Sequence, residues 1–195
     1  ASKSDVYKGD PSYVSALSDS SIEAANLAND HTEDYGTAGL TETQTTLKDA
    51  GITAFGNDDT AVLEIKGIKV GLVGISAVDK QISECQTQLT SAINSVKEQG
   101  ANLIIVNFHW GNDGETTPNS DQTTLAHAAV DAGADLVVGH HPHVLQGMEV
   151  YNNRTIFYSL GSFCDGGNMY PNDMDTVIFQ PTFTFNTSKE LTSTT

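Results

Sequence analysis

Positive charge is what this sequence has least of: 9 lysines and arginines stand against 25 aspartates and glutamates, for a formal net charge of −16. Such a surface repels nucleic-acid phosphates and anionic lipid headgroups, which excludes both as partners. It suits a secreted or surface-exposed chain, although acidic cytosolic proteins share the balance. Long apolar runs are missing too. Nowhere do roughly 18 apolar residues follow one another, so no stretch reads as a membrane-spanning helix. No export signal stands at Ala1, which leaves a cytosolic chain or a mature piece separated from its leader as the two readings. The two cysteines, Cys85 and Cys164, are too few and too distant for a disulfide framework or a zinc knuckle, and two free thiols are expected. A Gly-x-Ser-x-Gly elbow and a Walker-type phosphate loop are both absent. This argues against a serine hydrolase and a P-loop nucleotide enzyme.

What is present is a chain of 195 residues with 38% hydrophobic content, enough for one domain with a substantial core. Residues 11–17 suit a short helix opened by Pro11, and residues 22–28 a buried strand that delivers Asn29, Asp30 and His31. Gly36 and Gly39 bracket an expected loop. Leu40, Leu47 and Ala50 then keep helical spacing up to Gly51. Residues 61–65 and 68–75 form a hairpin around Lys66-Gly67. Ile82, Leu89, Ile93 and Val96 mark an amphipathic helix closed by Gly100, and residues 103–108 a strand ending at His109. A polar loop over 111–121 leads to a helix over 125–132 and a strand from Leu136 that Gly139 ends. Residues 149–151, 155–160, 176–179 and 182–185 are strand-like, with Asn152-Asn153 as a turn, and the Ser/Thr-rich tail over 187–195 is expected to fray. Alternating β and α followed by antiparallel β predicts a mixed sheet with helices packed on it.

Three of the six histidines, His140, His141 and His143, follow that last buried strand within four positions. Neutral imidazole is the commonest protein ligand for transition metals, and a bend at Pro142 brings rings spaced i, i+2 to one point. Asp30-His31, His109 and His141-His143 each lie at the C-terminal end of an expected strand, where open α/β sheets gather their ligands. A shared metal site follows. A carboxylate beside a histidine, as at Asp30-His31, adds a general acid–base group. His127 reads as packing or surface, and His140 as a residue that orients its neighbours. Glu149 and Asp165 are near enough in sequence to assist.

The stretch 27–36, Leu-Ala-Asn-Asp-His-Thr-Glu-Asp-Tyr-Gly, resembles the Ala-Asn-Asn-His…Asp-Tyr-Gly signature of CapA-type poly-γ-glutamate capsule synthesis proteins. His109-Trp110-Gly111 with Pro118, Gln122 and His127 resembles that family's next block. Residues 132–146, Ala-Gly-Ala-Asp-Leu-Val-Val-Gly-His-His-Pro-His-Val-Leu-Gln, carry its most specific one. Residues 158–163, 166–168 and 173–179 continue the likeness in order. The resemblance implies the calcineurin-like metallophosphoesterase fold, an α/β/β/α sandwich with a two-metal centre. By the same resemblance, Asp30, His109 and His141 hold one divalent ion (Mn, Zn or Fe), His143 serves the second, and His31 protonates the leaving group of a phosphoester.

Three departures accompany the likeness. Asp30 stands where the family has asparagine, which adds negative charge and favours a harder metal, and Ser162 stands where asparagine is common. The family's opening Gly-Asp strand and Asn-Leu-Glu segment have no counterpart in this sequence. Either a fragment or a degenerate site follows, and a fragment lacking the first strand and helix is the expected one, with a sheet edge open to a homodimer. Two functions follow from the resemblance: an extracellular or cell-surface phosphoesterase acting in capsule synthesis, or a non-catalytic scaffold for assembly or export of the capsule polymer.

Overall fold

A computed structural model describes residues 6–164 and 173–195. Its centre is a six-stranded mixed sheet in the order β3-β4-β5-β6-β8-β7. The strands are β3 (Ala61–Ile65), β4 (Ile68–Ser76), β5 (Leu103–His109), β6 (Leu136–His140), β7 (Met148–Tyr151) and β8 (Arg154–Phe157). β4, β5, β6 and β8 run parallel, and β3 and β7 close the two edges antiparallel. Both edge strands come from hairpins whose turn residues, Lys66-Gly67 and Asn152-Asn153, have positive φ. That geometry matches the twist of the flanking strands.

The parallel strands are joined by α3 (Ile82–Glu98) and α4 (Ser120–Ala132). Two crossovers of one hand moving in one direction place both helices on one face. There Cys85, Leu89, Ile93 and Val96 of α3 and Leu125, Ala126 and Ala129 of α4 meet Val73, Ile75, Val106, Phe108 and Val137. Alternation sends Val70, Leu72 and Leu103 to the opposite face. Two ribbons cover that face: parallel β1 (Ala24–Asn26) with β2 (Thr53–Phe55), and antiparallel β9 (Phe183–Phe185) with β10 (Leu191–Thr194). Helix α2 (Gly36–Asp49) packs on β2 through its buried Leu47. The layers thus follow the α/β/β/α order that the family likeness implies, with the second β layer built, among the described residues, from two short ribbons.

Several local expectations change. A 3-10 turn over Pro11–Tyr13 precedes α1 (Val14–Ser18), which buries no residue. Gly36 and Gly39 do not bracket a loop but lie in the first turns of α2. Gly36 enters at φ +65, and a Cβ on Gly39 would stand 2.8 Å from that of Tyr35. β6 runs through Gly139 to His140. Residues 176–179 form no strand; Thr176 makes a single bridge to Gly161, and Phe179 lays its ring 4.3 Å from Phe157. The tail expected to fray instead carries β10, held at its end by Thr182 and Thr195 exchanging backbone hydrogen bonds. Cys85 and Cys164 are both free. No helix among the described residues is long and apolar enough to cross a membrane.

Candidate metal centre

Three chain segments converge at the C-terminal rim of the parallel strands. The turn after β1 carries Asp30 and His31, with the His31 amide donating to the Asn29 side chain. His109 is the last residue of β5, in register with Ser76 of β4 and His140 of β6. Its alternation in the strand turns it away from α3 and α4, toward the ribbon face where β1 arrives. His141 and His143 follow β6 with φ of +100 and +58. Residues other than glycine rarely adopt such values and hold them where surrounding structure imposes them. Here the loop after β5 grips the bend, the Gly114 N–H donating to the Pro142 carbonyl at 2.9 Å.

Asp30 joins two histidines. Its Oδ1 is 2.8 Å from His109 Nε2, and its Oδ2 is 3.5 Å from His31 Nε2. On the other side of His31, Nδ1 lies 2.8 Å from Oδ2 of Asp34, a side chain only 1% exposed. A carboxylate can only accept, so Nδ1 carries the proton and the tautomer of a neutral His31 leaves Nε2 as its acceptor. The Tyr7 N–H donates to the same Asp34 oxygen, and the Tyr7 ring meets His31 edge-on at 4.6 Å. Asp34 thus orients His31.

Burial sets the charge state. Desolvation holds His109 down to about 4 against the hydrogen bond it donates to Asp30, and it lowers His141 and His140 as well. Near neutral pH these rings are uncharged, the form that ligates metals. Ligand atoms of Asp30, His109 and His141 all lie within 4.8 Å of one another, as do those of Asp113, His141 and His143. Bonds of about 2.0–2.2 Å from imidazole nitrogen and carboxylate oxygen span such groups with small side-chain rotations. Two imidazoles and a carboxylate fit a divalent transition-metal ion.

The structure therefore brings together Asp30, His31, His109, His141 and His143, and it adds Asp113, which sequence reasoning passed over as part of a polar loop. Its position four residues beyond His109 was the available signal. Ser162 reaches His143, with Oγ 2.9 Å from Nδ1. Glu149 does not assist the cluster, because its carboxylate accepts from Tyr158 Oη at 2.7 Å and pairs with His127 Nε2 at 3.0 Å. His127 also stacks on Tyr151 at 3.9 Å, the packing role expected of it. His140 is in neither ligand group among the described residues. Asp165 lies outside those residues.

The chain is similar to known proteins. A model of the bacterial capsule synthesis protein family, PGA_cap, matches residues 1–166. The capsule biosynthesis protein CapA of Bacillus anthracis is 35% identical over 171 residues, covering 77% of this chain and 42% of that protein. The PGA biosynthesis protein CapA of Bacillus subtilis (strain 168) is 31% identical over 168 residues, covering 77% and 44%. A probable polyglutamine synthesis accessory protein of Mycobacterium tuberculosis is 27% identical over 188 residues, covering 82% and 49%. The chain spans less than half the length of these relatives.

Proposed function

The chain belongs to the bacterial capsule synthesis protein family, and from that premise we propose that it acts at the cell surface in poly-γ-glutamate capsule synthesis as a metal-dependent phosphoesterase. Asp30, His109 and His141 would hold the divalent ion, with His143 beside them. The observation that carries the reading is the convergence of Asp30, His109 and His141, with all ligand atoms within 4.8 Å. A divalent ion held by these residues would supply polarisation of a phosphoryl oxygen and acidification of water. The chain's own part in bond cleavage falls to His31. Protonated at both nitrogens, it gives the Nε2 proton to the departing alkoxide, while the bond from Nδ1 to Asp34 fixes the ring. Asp30 Oδ2 lies 3.5 Å from that Nε2.

The second reading is a non-catalytic scaffold for capsule polymer assembly. It is favoured by the 2.8 Å contact between Asp30 and His109, which satisfies both groups without an ion. Titration with Mn²⁺ and Zn²⁺, together with hydrolysis of 2′,3′-cyclic AMP, a phosphodiester whose leaving group is an alkoxide, separates the two. The enzyme reading expects ion binding that His109→Ala weakens and hydrolysis that His31→Ala removes while ion binding stays. Ion binding without hydrolysis, or hydrolysis untouched in His31→Ala, selects the scaffold or overturns the assigned acid.

A further inference from the structure

We infer that Asp113 is a cation ligand, and that with His141 and His143 it forms a second, solvent-side group which shares His141 with the first and so exchanges a single ion with it. The inference rests on the metal-site part of the reading above.

The geometry is that of a group open to an ion. Asp113 Oδ1 is 3.7 Å from His141 Nε2 and 3.9 Å from His143 Nε2, too far for hydrogen bonds yet within the spacing of atoms around one cation. The contrast with Asp30 and His109 is direct, since those two atoms are already in contact at 2.8 Å. Two further observations hold the arrangement. The Gly114–Pro142 backbone bond fixes the loop of Asp113 against the histidine bend, and the positive φ of both His141 and His143 turns their rings into one space, centroids 5.9 Å apart. Ser162 Oγ, 2.9 Å from Nδ1 of His143, can accept an N–H there, and in that tautomer Nε2 has the lone pair a ligand needs.

Sharing sets the stoichiometry. A neutral imidazole offers one lone pair, and His141 is a member of both groups. It serves one ion at a time, either the inner one beside Asp30 and His109 or the outer one beside Asp113 and His143. Side chains of the outer pair are 73% and 65% exposed, against 7% for His109. An ion arriving from solvent meets the outer group first and passes inward by exchanging partners around His141.

Electron paramagnetic resonance of free Mn²⁺ tests this, with emission of the buried Trp110 confirming the fold of each variant. The wild-type chain is expected to bind one Mn²⁺. Asp30→Ala retains an ion, and adding Asp113→Ala or His143→Ala weakens that remaining binding at least about tenfold. Because both outer side chains are exposed, these changes leave the core intact. Unchanged binding when Asp113→Ala is added to Asp30→Ala overturns the ligand assignment, as does complete loss of binding in Asp30→Ala alone. Two ions per wild-type chain overturn the sharing of His141. A wild-type chain that binds no Mn²⁺ overturns the metal-site reading itself, and the inference with it.

Discussion

Asp30 Oδ1 and His109 Nε2, 79 residues apart in sequence, lie 2.8 Å apart in the structure. One arrives on the turn behind a three-residue ribbon strand and the other at the end of a core strand, so the contact joins the two β layers at the rim. Replacing His109 by Ala is expected to reduce Mn²⁺ or Zn²⁺ affinity by more than the about 10–100-fold typical of losing an outer partner. Isothermal titration calorimetry checks this, and affinity within threefold of wild type would remove His109 from the ligand set.

His31 and Asp34 are expected to affect rate rather than ion binding. His31→Ala should lower phosphodiester turnover by about 10²–10⁴-fold, the usual contribution of a positioned acid, with ion affinity nearly unchanged. Asp34→Asn keeps the shape but no longer fixes the Nδ1–H tautomer. It should lower kcat and displace the pH–rate profile. A change in KM alone would place Asp34 in substrate binding instead.

The third expectation concerns pH and lies away from the metal centre. The Tyr158 hydroxyl, and after it His127, holds the Glu149 carboxyl below its ordinary value of 4.5. A carboxyl with a depressed folded value stabilises the fold fully above the unfolded value, and loses that contribution as pH falls through the folded one. Urea midpoints measured between pH 6 and pH 3 should therefore fall less steeply in Glu149→Gln than in wild type. Parallel curves would show that the carboxylate contributes nothing to the acid limb.

Gly139 should tolerate no side chain. A Cβ there would stand 2.1 Å from the Tyr158 carbonyl oxygen and 2.4 Å from Trp110 Nε1, in the path of the 2.8 Å hydrogen bond between them. Gly139→Ala is expected to destabilise by more than the about 1–3 kcal/mol of ordinary overpacking. The shift in urea midpoint measures it, and a cost below about 0.5 kcal/mol would mean the strand moves freely.

Much of this was legible in the sequence because it rests on local physics. The 3.6 spacing of Leu89, Ile93 and Val96, the apolar runs of β4, β5 and β6, and the turns at Lys66-Gly67 and Asn152-Asn153 each follow from periodicity or backbone preference. So does the position of the histidines behind their strands. Boundaries were less secure: Gly139 reads as a strand end in isolation, yet it continues β6 because Trp110 and Tyr158 need its empty side. Gly36 and Gly39 resemble a loop until Tyr35 is seen packed against the latter.

The sequence by itself determined the parallel βαβ order, the acidic surface and the supply of imidazoles at the strand ends, since each depends on neighbours a few residues away. Only the tertiary structure decided which groups meet. Asp113 looks like any loop carboxylate until the Gly114–Pro142 bond sets it beside His141 and His143, and Glu149 looks available until Tyr158 and His127 engage it. The β10 tail likewise pairs with β9 over an apolar sheet face. Partners brought across tens of residues are fixed by packing of whole layers, and no local pattern encodes that distance.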